Sequence, residues 1–118
     1  MEGKGVKTYA NGNVYNGNWK EDKKHGLGTL TYTSGRTYIG DWKNGNRDGY
    51  GTETYPNKET YTGDFKDNMR HGKGTYKFTV DNYYTGEFKN NIREGQGVFT
   101  FQNGESYDGE WSGGNYNG

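Results

Sequence analysis

The sequence predicts an all-β fold: a single-layer antiparallel meander of consecutive β-hairpins, forming an elongated, twisted and curved repeat sheet. Three observations carry that prediction. The stretch from Tyr15 to Thr37 restarts in the same phase at Tyr38, Tyr61, Tyr84 and Tyr107, each start 23 residues after the one before, and a fixed period of roughly 20–50 residues marks a repeat architecture. Within each unit bulky and polar residues alternate with a period of two, which belongs to strands and not to helices. The connections between the alternating runs are too short for a parallel crossover, so neighbouring strands must be antiparallel.

Every unit opens Tyr-x-Gly-x-aromatic and closes Gly-x-Gly-x-x-x-aromatic. Taken in order, residues 1–14 form the closing half of a unit: Gly3, Gly5 and Tyr9 stand 23 residues before Gly26, Gly28 and Tyr32. Full units follow at 15–37, 38–60, 61–83 and 84–106, and residues 107–118 are an opening half that reaches Gly118 as the first glycine of a further pair. A start in mid-repeat predicts a segment of a longer array. In the first full unit Tyr15, Gly17 and Trp19 face one way while Asn16, Asn18 and Lys20 face the other. The charged stretch Glu21 to His25 connects to a second strand, with Gly26, Gly28, Leu30 and Tyr32 on the aromatic face and Leu27, Thr29 and Thr31 opposite. Thr33-Ser34-Gly35 then turns into the next unit. Two strands per unit advance a sheet by about 10 Å, so five units should span about 50 Å.

The glycines have a physical task in this arrangement. Glycine weakens a strand unless another group closely approaches its bare backbone, and rings lying over strand glycines restore the lost packing. Lys58 and Asp81 replace the turn glycine found at Gly12, Gly35 and Gly104. Lys58 is the less suited to a positive φ, which predicts a different local geometry for the third connection between units.

Composition sets limits. Leu, Ile, Val and Phe supply only 13 of 118 residues, whereas 20 are aromatic; each aromatic ring buries about 150–250 Å², so a one-layer sheet covered by its own rings is within reach while a conventional two-layer core is not. Lys+Arg and Asp+Glu balance at 15 each, leaving no overall field for nucleic acid. Cysteine is absent, which removes disulfide and thiolate chemistry and favours an intracellular setting. No apolar run approaches a membrane-spanning length.

The frame resembles the MORN (membrane occupation and recognition nexus) repeat, whose motif has the same Tyr-x-Gly-x-aromatic opening and Gly-x-Gly pair, and the resemblance covers the whole chain. It implies a non-catalytic array of the kind found in cytoskeletal and ciliary scaffolds, in membrane-junction proteins, and beside the catalytic domains of lipid kinases and a histone methyltransferase. The location it implies is cytoplasmic, at the cytoskeleton or a membrane.

Catalysis finds no constellation. His25 and His71 are equivalent positions two units apart, about 20 Å by strand spacing, too far for one metal or one catalytic pair. Ser34, Ser106 and Ser112 belong to no nucleophile motif, and the Gly-x-Gly pairs lack the helix and acidic residue of a dinucleotide site. No cofactor or metal is expected.

Recognition is expected on the aromatic face. Trp19, Trp42, Phe65 and Phe88, with the variable position Leu30, Glu53, Tyr76 and Phe99, should line a groove that grows aromatic towards its second half and suits a helix or extended peptide of a protein partner. Lys24, Arg47, Arg70 and Arg93 are expected in the hairpin loops as a basic rim, where phosphoinositide headgroups offer an alternative partner. On the opposite face Asp41, Asp64, Glu87 and Glu110 run beside Lys20, Lys43, Lys66 and Lys89, a pattern that predicts cross-strand ion pairs. Open strand edges at both ends invite edge-to-edge self-association.

Overall fold

The computed structural model describes residues 2–116, with the side chain of Tyr116 left aside; Gly118 lies outside that range. Strands β1 (Gly3–Thr8), β2 (Val14–Lys20), β3 (Lys23–Thr31), β4 (Thr37–Lys43), β5 (Asn46–Thr54), β6 (Thr60–Lys66), β7 (Met69–Lys77), β8 (Tyr83–Lys89), β9 (Ile92–Thr100), β10 (Ser106–Ser112) and β11 (Asn115–Tyr116) form one sheet. They lie side by side in chain order, each antiparallel to the next. The molecule is 49 Å long, as an advance of about 10 Å per unit requires.

The core is a line of rings on one face. Tyr15, Tyr38, Tyr61 and Tyr84 are fully buried, and Trp19, Trp42, Phe65, Phe88 and Trp111 nearly so. Each tyrosine meets the bulky aromatic of its own unit and that of the next edge to face: Tyr38 lies 5.1 Å from Trp42 and 5.0 Å from Phe65, and Tyr61 lies 5.1 Å from Phe65 and 5.0 Å from Phe88. Such pairs contribute about 0.5–1.5 kcal/mol each beyond the area they bury. The zigzag runs unbroken from Trp19 to Trp111.

The tyrosines fit because cross-strand glycine pairs lie beneath them. Gly17 faces Gly28, Gly40 faces Gly51, Gly63 faces Gly74 and Gly86 faces Gly97. A methyl group on Gly51 would stand 2.6 Å from ring carbons of Tyr38. The first glycine of each Gly-x-Gly pair has a different job. Between Gly17 and Trp19 on β2 there is one residue, but between their partners Gly28 and Lys24 on β3 there are three, so β3 bulges there. The bulge recurs in every full unit, and Gly26, Gly49, Gly72 and Gly95 turn it with φ of 72°, 109°, 87° and 81°, a region that costs other residues about 1–2 kcal/mol.

The bulge also explains the recurring phenol of the frame and the acidic column. At the residue the bulge takes out of register, the carbonyl accepts the tyrosine hydroxyl: Tyr38 donates to Asp41 O and Tyr61 to Asp64 O, both at 2.8 Å. The side chains of those same residues accept main-chain N–H groups of the bulged strand, Asp41 from Tyr50, Asp64 from Lys73 and Glu87 from Gln96. Among the described residues these bonds stand in place of the expected ion pairs with the lysine column, since a carboxylate beside a loosened ladder meets amides before it meets lysines.

Two turn expectations are corrected. The connection within a unit is a two-residue turn, Glu21-Asp22, Asn44-Gly45, Asp67-Asn68 or Asn90-Asn91, with both residues at positive φ, and not the five-residue stretch Glu21 to His25. The third connection between units keeps the common geometry: Lys58 sits at φ 74° and its N–H bonds Tyr55 O as Gly35 N–H bonds Tyr32 O. The fourth is the one that differs, with Thr79 N–H turning to Asn82 O.

Candidate functional site

The groove read from the sequence is largely filled. Trp19, Leu30, Trp42, Glu53, Phe65 and Phe88 all share the aromatic face, as expected, but they are buried in the ring core; with no second layer available, the sheet spends these side chains on covering itself. Tyr76 and Phe99 remain half-exposed.

The basic column is placed differently from its prediction. Because the turns are only two residues long, Lys24, Arg47, Arg70 and Arg93 fall within β3, β5, β7 and β9, paired with Trp19, Trp42, Phe65 and Phe88. Their heads lie over the rings: the Arg47 guanidinium is 5.5 Å from the Phe65 centroid, Arg70 5.1 Å from Tyr76, Arg93 4.9 Å from Trp111, and Lys24 Nζ 5.2 Å from Trp42. Desolvated cation–π contacts contribute up to about 2 kcal/mol. Each arginine also donates to the carbonyl at the next hairpin tip, Arg47 to Asn68, Arg70 to Asn91 and Arg93 to Gly114. The tips are stitched together further by Asn68 N–H to Arg47 O and Asn91 N–H to Arg70 O, both 3.0 Å. The column is therefore a structural clamp across units.

Arg47 has a counter-ion. Glu53, 3% exposed, accepts from Arg47 and from the Tyr55 hydroxyl and lies 3.6 Å from Arg36 Nε. Burial, with Glu53 accepting the hydroxyl proton, pushes the Tyr55 phenol well above its ordinary value. This network closes the aromatic face at the second full unit.

Beyond it the face opens. A strip of partly exposed rings runs Tyr55, Tyr76, Phe78, Phe99, Phe101 and Tyr107, with successive centroids 4.6–5.9 Å apart. Beside it a cleft of about 320 Å³ is bounded by Arg70, Tyr76, Phe78, Phe88, Ile92 and Arg93. Phe78 and Ile92 are exposed there. The Tyr76 hydroxyl donates to Glu59 at 2.7 Å, and burial together with that bond pushes its pKa up to about 12.

Phe78, Ile92 and Phe101 were absent from the groove read by sequence. The signal for Phe78 and Phe101 was present: the closing position reads Tyr9, Tyr32, Tyr55, Phe78, Phe101, losing its hydroxyl in the last two units. Ile92 had no such signal, since it follows the turn where the other units carry Lys23, Asn46 and Met69.

His25 and His71 lie apart in β3 and β7. Among the described residues no group of three or more His, Asp or Glu is arranged to hold a metal ion, and no helix is long and apolar enough to cross a membrane.

Comparison with curated proteins gave no match. The profile of the MORN repeat, by contrast, matches residues 1–14, 15–35, 38–60, 61–82, 84–106 and 107–118, six consecutive segments in the phase set by the buried tyrosines. By its motif along almost the whole length, and by the hairpin that each motif folds into, the chain belongs to the MORN-repeat family.

Proposed function

We propose that this array is a non-catalytic scaffold that holds a helical or extended segment of a protein partner on the second half of its aromatic face. MORN repeats are a repeat scaffold for protein or membrane interaction, and the choice between those two rests here on one observation: the face is closed by Glu53, Arg47 and their partners in its first half and carries a partly exposed ring strip from Tyr76 to Tyr107 in its second. Exposed aromatics with little side-chain freedom are the anchors of protein interfaces. The phosphoinositide alternative draws on Lys24, Arg47, Arg70 and Arg93, which lie over rings within the strands and not in the hairpin loops, with Arg47 already paired to Glu53.

A photo-crosslinking residue at Phe78 or, as control, at Leu27 on the opposite face tests this in cells. Protein adducts formed from position 78 and absent from position 27 are expected. Equal adducts from both, or none from 78 together with co-sedimentation on phosphoinositide vesicles, would reverse the choice. A second contact, between copies of the chain, is proposed for the β1 edge, which pairs along one side with β2 alone; a strict monomer by sedimentation at high concentration would remove it.

A further inference from the structure

Six residues after each cation of the clamp, the chain sets the side chain that stands in the variable row: Leu30 after Lys24, Glu53 after Arg47, Tyr76 after Arg70 and Phe99 after Arg93. The four places are repeats of one site with different occupants. At Arg47 the occupant is a carboxylate, gripped by the guanidinium and by the Tyr55 hydroxyl. At Arg70 it is a ring. Arg70 gives Nη1 to the Tyr55 hydroxyl at 3.0 Å and Nη2 to Asn91 O at 2.7 Å, and its buried Nε has no acceptor. Arg93 gives Nη2 to Gly114 O at 2.7 Å. Among the described residues no carboxylate oxygen lies within 4.0 Å of either arginine.

These two uncompensated arginines, two strands apart and so about 10 Å from each other by strand spacing, stand on the wall of the cleft that Tyr76, Phe78, Phe88 and Ile92 make apolar. Neither guanidinium has a carboxylate partner among the described residues, and charge-assisted bonds from guanidinium to carboxylate are about twice as strong as neutral ones. The chain itself displays the satisfied form of this site at Arg47.

We propose that the cleft takes an acidic and apolar segment of a protein partner: an Asp or Glu carboxylate seated at Arg70 and Arg93 as Glu53 is seated at Arg47, with a neighbouring Leu, Phe or Trp side chain against Tyr76, Phe78 and Ile92. This rests on the scaffold reading and adds a rule of selection to it. Basic segments are turned away by the same two charges, and neutral apolar ones leave the arginines unsatisfied.

Selection of a random twelve-residue peptide library on the full chain, followed by fluorescence anisotropy with the best synthetic peptide, tests it. The selected peptides should carry Asp or Glu within one or two positions of a large apolar residue, and changing that acid to its amide should weaken binding at least tenfold. R93Q should weaken it to a similar degree while R93K, which keeps the charge, retains most of it. Y76E places a carboxylate six residues after Arg70, reproducing the Glu53 arrangement, and should block the peptide from within; circular dichroism checks that each variant is folded. Peptides without an acidic consensus, bound equally by Y76E and R93Q, would overturn the carboxylate rule and leave the scaffold reading standing. A library that yields no binder would overturn both. Vesicles containing a phosphoinositide that bind in an Arg93-dependent manner, with no peptide bound, would assign the arginines to a lipid phosphate and overturn the proposal.

Discussion

At Gly51 and Gly26 two glycines of one motif meet different constraints. A β-carbon at Gly51 would stand 2.6 Å from Cε1 and Cζ of Tyr38, a fully buried ring wedged between Trp42 and Phe65, so alanine must drive that ring out of place. A β-carbon at Gly26 would meet nothing nearer than Asn18 Nδ2 at 3.5 Å, and alanine there bears only the positive φ, about 1–2 kcal/mol. Overpacking typically costs about 1–3 kcal/mol and occasionally more; with Tyr38 held on both sides the upper end applies. Urea unfolding should therefore find G51A less stable than G26A by about 1–2 kcal/mol or more, and equal values would mean that the second glycine serves conformation and not the ring. The tyrosines set a second expectation at this scale. Burial holds Tyr15 up to about 12 and Tyr38, Tyr61 and Tyr84 above the ordinary value near 10. The unfolded chain loses these protons first as pH rises, so it binds fewer protons than the folded one above about pH 10 and stability falls with pH there. The stabilisation is intact below the unfolded value and is lost on rising through the folded one. Melting temperatures should be flat from neutral pH to about 9 and drop steeply between about 10 and 12; a flat profile to pH 12 would mean that the phenols ionise without leaving the core.

The hairpin is the element in which sequence and structure part company. Asn44-Gly45 is a short hairpin signal, and the period carries a tight turn from it to Glu21-Asp22, Asp67-Asn68 and Asn90-Asn91, but Asn-Gly also stands at Asn11-Gly12, Asn103-Gly104 and, inside β2, Asn16-Gly17. The tight turn moves Lys24, Arg47, Arg70 and Arg93 from loops into strands and turns the basic rim into a clamp. The bulge was harder to see: it adds two residues, so the alternation of faces continues across it and leaves no break in the pattern of Gly28, Leu30 and Tyr32. What alternation does report, that Tyr15, Trp19 and Leu30 share a face, was legible from the period alone. Why the groove is closed was not, because burial of Trp42 or Glu53 depends on arginines whose place depended on the turn. Lys58 gives a test at this scale. It adopts φ 74° where the other units with the same hydrogen bonds carry Gly12, Gly35 and Gly104. Glycine removes a left-handed strain of about 1–2 kcal/mol and adds back about 0.5–1 kcal/mol of unfolded-chain freedom, so K58G should stabilise by about 0.5–1 kcal/mol and raise the melting temperature by a few degrees. A lower melting temperature would show that the lysine side chain contributes something its exposed position does not suggest.

Along the whole molecule each unit touches only its neighbours, and the contacts between them are interchangeable. Tyr15 meets Trp42 at 5.5 Å as Tyr38 meets Phe65 at 5.0 Å, both edge to face, and every full unit offers the same glycine pair and the same bulge to the strand beside it. Stability of such an array is close to a sum of unit and interface contributions. Removing residues 38–60 joins Thr37 to Tyr61 in phase, so that Tyr61 takes the place of Tyr38, Phe65 that of Trp42, and Arg70 that of Arg47. Glu53 leaves together with the Arg47 it neutralises, so no buried charge is orphaned by the cut. The shortened chain should fold, with a lower melting temperature and a urea m-value reduced by about a fifth, in proportion to the surface it no longer buries. Removing residues 38–49 alone breaks the phase: Trp42 goes, Gly26 that pairs with it stays, and β3 meets a truncated β5 where β4 stood. That chain should melt well below the in-phase deletion by circular dichroism. If both deletions fold equally well, or neither does, the rings and glycines are not acting as a repeating lock, and the link from the 23-residue period to a self-covering sheet is broken.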